Sequence, residues 1–136
     1  MFAGRSHTHD QLLLFYADEL TGPWTEHIHS PVVLSDPSIA RPGGHVFEYE
    51  GQLYRLGQDC VPRYGSQLRA FRITSLTTNS YIEEPVSAGT VLTAGPASWN
   101  RVGMHHCDLH PTSDGRWTAA VDGHTKQWNW RFGLPN

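Results

Sequence analysis

The sequence predicts an all-β protein of short antiparallel strands, arranged as four-stranded blades of a partial β-propeller. Three observations carry that expectation. Segments rich in aromatic and β-branched residues recur along the chain, and none shows the apolar spacing of an amphipathic helix. Turn signals built on Gly, Pro, Asn and Asp separate these segments at short intervals. Residues 43–86 hold four consecutive predicted strands, the content of one blade, with two more before and two after. Propellers typically have about four to eight blades, whereas 136 residues supply about two. The expected unit is therefore one partial domain over residues 1–136, with its core in 12–123 and a tail over 124–136.

Residues 12–17 are apolar on both faces, so they read as an interior strand. Thr21-Gly22-Pro23 turns the chain and 24–28 return it. A loop with Pro31, Pro37 and Pro42 leads into the clearest hairpin, 43–49 with 53–59, around Glu50-Gly51. Strands at 67–73 and 80–86 follow, joined by the polar turn 74–79, and then comes a looser stretch, 87–100. The last hairpin pairs 103–109 with 117–122 across Ser113-Asp114-Gly115, read as a two-residue turn signal. Beyond Gly123, Trp128-Asn129-Trp130-Arg131-Phe132 is either one more edge strand or a loose tail.

Composition excludes several function classes. Lys and Arg number 10 against 13 Asp and Glu, a formal charge of -3, and Lys126 is the single lysine. No basic stripe exists to neutralise phosphates, which argues against nucleic acid as a partner. No apolar run approaches the roughly 18 residues that a spanning helix needs. The first ten residues also lack the apolar core of a secretion signal, so a cytoplasmic location is the default expectation. Cys60 and Cys107 make at most one bridge, and two small buried thiols is the simpler expectation.

The hairpin at 43–59 brings Arg41, before its first strand, to the same end as Gln58, Asp59 and Tyr64. A guanidinium, an amide, a carboxylate and a phenol at one end suit a hydroxyl-rich ligand. Alternation puts Arg55 and Asp59 on one face of their strand, where they are also placed to form a structural ion pair.

Several motifs carry a family resemblance. Leu14-Phe15-Tyr16-Ala17-Asp18 with Gly22-Pro23-Trp24-Thr25-Glu26-His27 resembles the strand pair that recurs in five-bladed propellers of the family 43 glycoside hydrolase type. Arg41-Pro42-Gly43-Gly44, Tyr54-Arg55, Gln58-Asp59-Cys60 and Tyr64-Gly65 resemble the N-terminal propeller domain of glucosamine inositolphosphorylceramide transferases. Gly103-Met104-His105-His106-Cys107-Asp108, with Trp117 and Val121-Asp122-Gly123, is similar to that domain's closing segment. The resemblance implies a carbohydrate or glycan ligand, and a longer domain whose early blades lie N-terminal to residue 12. The missing blades would come from a longer chain or from a second copy in a homo-oligomer.

The resemblance also implies roles for particular residues. An Arg beside a Pro-containing turn contacts sugar hydroxyls in the related hydrolases, which points to Arg41. Their axial His points to His106, with Asp108 on its own strand face. The expected ligand-binding set is therefore Arg41, Arg55, Gln58, Asp59, Tyr64 and His106. Hydrolysis would need two carboxylates about 5 to 9 Å apart; Asp59 and Asp108 are the candidates, and the chain's status as an enzyme stays open. No metal or other cofactor is expected, because strand geometry scatters His105, His106 and His110 over two faces. Three functions remain: a carbohydrate-recognising accessory module of a glycan-processing protein, a glycoside hydrolase-like enzyme completed by other blades, and a protein-interaction scaffold.

Overall fold

A computed structural model describes residues 1–5 and 7–126. Among them the secondary structure is all-β and every strand pairing is antiparallel. The run Trp128-Asn129-Trp130-Arg131-Phe132, expected as an edge strand or a tail, lies outside the described residues.

The first sheet is built around β2 (Gln11–Tyr16). It pairs with β1 (Phe2–Gly4) along its middle, β3 (Thr25–Glu26) at its C-terminal end and β4 (Val33–Leu34) at its N-terminal end. Three partners explain why Leu12, Leu13 and Leu14 are all buried, as a strand apolar on both faces requires. The return strand expected over 24–28 is reduced to β3, and the sequence reading missed β1 and β4.

The second sheet holds β5 (Arg41–Pro42), β6 (Phe47–Tyr49), β7 (Gln52–Asp59), β8 (Gln67–Leu76) and β9 (Tyr81–Thr93), in the order β5-β7-β8-β9. β6 also pairs with β7, so β5 and β6 occupy one β7 edge in succession. The expected single strand over 43–49 is thus interrupted at 43–46. The Glu50-Gly51 turn has φ of 51° and 72°, the left-handed pair that a two-residue hairpin loop needs. β9 runs on into the stretch read as loose. Its register shifts between the pairs Phe71–Pro85 and Arg69–Thr90, so β9 carries extra residues there as a bulge. Pro85 is tolerated because β9 is an edge strand.

β10 (Gly103–Pro111) and β11 (Trp117–His124) form the third sheet. Pro111 faces Trp117, so the connection is the five residues 112–116 and not the two-residue turn expected. Thr112 closes it, donating its backbone N–H to the Arg116 carbonyl at 2.8 Å.

Two apolar clusters hold these sheets. Leu12, Val33 and Ala40 pack with Phe2, Val32 and Ile39, while Leu56, Leu68, Ala70 and Cys107 pack with Phe47, Val86, Leu92 and Leu109. Cys60 and Cys107 are free thiols. Buried His27 joins the first sheet to the β8–β9 turn: its Nδ1 accepts the His29 N–H at 3.1 Å, leaving Nε2–H to donate to the Thr77 carbonyl at 3.0 Å. No helix among the described residues is long and apolar enough to cross a membrane.

Candidate functional site

Tyr64 is the centre of a polar cluster built by two loops, strand β5 and the third sheet. Arg41 pairs with Gln58 across β5 and β7, which places its guanidinium at the end of the hairpin where the loop after Asp59 begins. From there its Cζ stands 5.1 Å from the centre of the Tyr64 ring. Its Nη1 lies 3.2 Å from His9 Nδ1. A guanidinium only donates, so His9 accepts through Nδ1 and carries its proton on Nε2. His9 has φ of 59°, a left-handed conformation that costs a non-glycine residue about 1–2 kcal/mol. The His9 ring is 5.2 Å from that of Tyr64.

On its other side Tyr64 meets His105 of β10 edge-on, with ring centres 5.1 Å apart. Gly65 makes this approach possible, since a Cβ there would come within 2.8 Å of His105 Cβ. His105 Nδ1 lies 2.9 Å from Asp122 Oδ1 on β11, at ion-pair distance but without hydrogen-bond alignment. The His124 ring stands edge-on to His105 at 5.7 Å. Tyr64 itself is 41% exposed and Asp122 is exposed, while Arg41, His9, His105 and His124 are partly buried around them.

Other expected site residues are committed to the fold. Arg55, 3% exposed, donates from Nε and Nη2 to the two Glu83 oxygens at 2.5 Å each and from Nη1 to the Ile39 carbonyl at 3.0 Å. Its Cζ lies 4.3 Å above the Phe71 ring. The ion pair expected between Arg55 and Asp59 therefore does not form. Asp59 pairs with Arg69 at 2.7 Å instead, and its oxygens also accept from Gln67 Nε2 at 2.8 Å and the Val61 N–H at 3.0 Å. Burial pushes the Asp59 carboxyl up, but the hydrogen bonds from Gln67, Arg69 and Val61 outweigh it and hold it below the usual carboxylate range. Gln58 donates Nε2 to the Pro42 carbonyl at 3.2 Å, while its buried Oε1 has no partner.

Asp108 is held elsewhere, and His106 is not beside it. His106 is exposed opposite Asp122. Asp108 is bonded through Oδ1 to His45 Nδ1, and through Oδ2 to His110 Nε2 at 2.9 Å. These two imidazoles keep its carboxyl well below the usual range. His45 reaches β10 because Gly44 lies flush against that strand, where a Cβ would come within 2.1 Å of the Cys107 carbonyl oxygen. The backbone bond from the Cys107 N–H to the Gly43 carbonyl, 2.8 Å, locks the contact. Among the described residues, His45, Asp108 and His110 each bring one potential ligand atom within 4.8 Å of the others. The sequence reading grouped His110 with His105 and His106 and missed His45, although Gly-Gly ahead of a His was a signal for close backbone approach. Phe2, Leu14, Tyr16, Trp24, Leu76 and His45 border a largely apolar cleft of about 740 Å³.

The architecture defines an antiparallel all-β module that presents a polar, ring-lined cluster to solvent beside a separate His–Asp–His group. The chain belongs to the family described as glucosamine inositolphosphorylceramide transferase 1, N-terminal, which it matches over residues 2–124. It is similar to the glucosamine inositolphosphorylceramide transferase 1 of Oryza sativa subsp. japonica, at 40% identity over 115 residues, 83% of this chain and 16% of the relative. The Arabidopsis thaliana protein of the same name is 39% identical over 116 residues, 83% of this chain and 15% of its own length. The chain thus spans about one-sixth of the length of these curated relatives. No solved structure matches it.

Proposed function

We propose that the chain is a carbohydrate-recognising module, part of a five-bladed β-propeller, and serves as an accessory or binding domain of a glycan-processing protein. The observation that carries this reading is the Arg41–Tyr64–His105 cluster. Arg41 offers a cation whose remaining N–H groups can donate to ring hydroxyls or to a phosphate. Tyr64 supplies a half-exposed aromatic face and a hydroxyl, and His9 and His105 hold donors and acceptors on either side. The left-handed backbone of His9 is strain of the kind that collects at binding sites. Family membership supports the reading, since the relatives carry the name glucosamine inositolphosphorylceramide transferase 1. The sheet order β5-β7-β8-β9, with β6 extending β5 along the same edge, has the antiparallel content of one blade.

Recognition fits the geometry better than hydrolysis. Of the two carboxylates expected to catalyse, Asp59 is 3% exposed and saturated by Arg69, Gln67 and Val61, and Asp108 is spent on two imidazoles.

Saturation-transfer NMR on the full chain, with glucosamine, myo-inositol 1-phosphate and glucose as probes, tests the proposal. Transfer to at least one probe is expected, abolished by Arg41→Ala and by Tyr64→Ala and retained in Arg72→Ala, a distant exposed arginine. No transfer to any probe from the folded chain, or transfer indifferent to Arg41 and Tyr64, overturns it.

A further inference from the structure

We infer that His45, Asp108 and His110 form a binding site for a late first-row divalent metal ion of the zinc class. The inference is independent of the glycan reading and rests on geometry. Strand alternation puts Asp108 and His110 on one face of β10, two residues apart, and the Gly43-Gly44 approach brings His45 to them from the neighbouring loop. Both imidazoles turn a ring nitrogen toward the same carboxylate, Nδ1 of His45 and Nε2 of His110, and their rings stack with centres 5.0 Å apart.

One ligand atom from each residue lies within 4.8 Å of the other two. A tetrahedral zinc ion with bonds of about 2.0–2.2 Å holds its ligand atoms roughly 3.3–3.6 Å apart. Side-chain torsions alone can open the Asp108 contacts by that margin, because none of the three side chains is enclosed. Two imidazoles and one carboxylate are the borderline donor set that suits zinc and its neighbours, while calcium and magnesium take oxygen ligands. Side-chain exposures of 41%, 35% and 63% for His45, Asp108 and His110 leave a fourth coordination position open to solvent. An ion there would also border the apolar cleft, because His45 lines both.

The alternative is a plain charge-assisted pair of hydrogen bonds to Asp108 with no ion involved. Zinc titration of the full chain against a chromophoric chelator, with cobalt(II) absorption as a second readout, separates the two. One tightly bound equivalent is expected, together with the intense visible bands of low-symmetry cobalt. His110→Ala and Asp108→Asn should each weaken zinc binding roughly tenfold or more, whereas His106→Ala and His29→Ala leave it unchanged. His110 is the most exposed of the three, so His110→Ala keeps the fold, and circular dichroism checks this. Absence of a tight equivalent, or wild-type affinity in His110→Ala, overturns the inference.

Discussion

Arg55→Met removes a guanidinium that holds Glu83 with two hydrogen bonds and the Ile39 carbonyl with a third, leaving a carboxylate that is only 13% exposed. Tyr81 still donates to Glu83 at 2.5 Å, but a hydroxyl does not neutralise a charge. Stranding one member of a buried ion pair costs about 3–5 kcal/mol. Domains of this kind have about 5–15 kcal/mol in all, so the single change removes a fifth or more of the total on any reckoning within those ranges. With a urea slope of about 1–3 kcal/mol per molar, the midpoint should fall by roughly 1 M or more. The double variant Arg55→Met, Glu83→Leu removes both charges and should recover most of that loss, because apolar replacement of a buried pair is often close to neutral. Urea unfolding followed by tryptophan fluorescence measures all of these. A single-variant loss below about 1 kcal/mol, the range of an exposed pair, would refute the argument. So would a double variant whose loss equals the sum of the two single losses.

Acid stability should report on Asp59. Its carboxyl is lower in the folded protein than in the unfolded chain, so its contribution is present above about pH 4, the unfolded value, and is lost as pH falls through the folded value. Asp59→Asn should be less stable than the wild type at neutral pH, with a difference that narrows on acidification; a constant gap between the two urea midpoints across that range would contradict it. Gly44→Ala forces a Cβ to within 2.1 Å of the Cys107 carbonyl oxygen, so the loop must move. Faster hydrogen exchange at the Cys107 amide and a lower melting temperature are expected, and unchanged protection there would show that the contact is dispensable.

Local chemistry made much of the fold legible. Leu12, Leu13 and Leu14 announced an interior strand, and Glu50-Gly51 announced a hairpin whose register follows from a two-residue left-handed turn. Continued unbroken, that register would set Arg41 opposite Cys60; the interruption at 43–46 slips the pairing by two residues, to Gln58, at the same end of the hairpin. β1 and β4 were not legible, because two or three residues are too few to display a period of two. They exist because β2 has edges to satisfy.

The sequence by itself determined the all-β class, the main hairpins and the gathering of Arg41, Gln58, Asp59 and Tyr64 near one end. These follow from steric and turn preferences acting over a few residues. Only the tertiary structure decided the partners of the charges. Arg55 reaches over Phe71 to Glu83 two strands away, Asp59 takes Arg69, and His45 rather than His106 meets Asp108. Such pairings depend on bulges and register between strands far apart in the chain, where a shift of one residue turns every side chain to the opposite face.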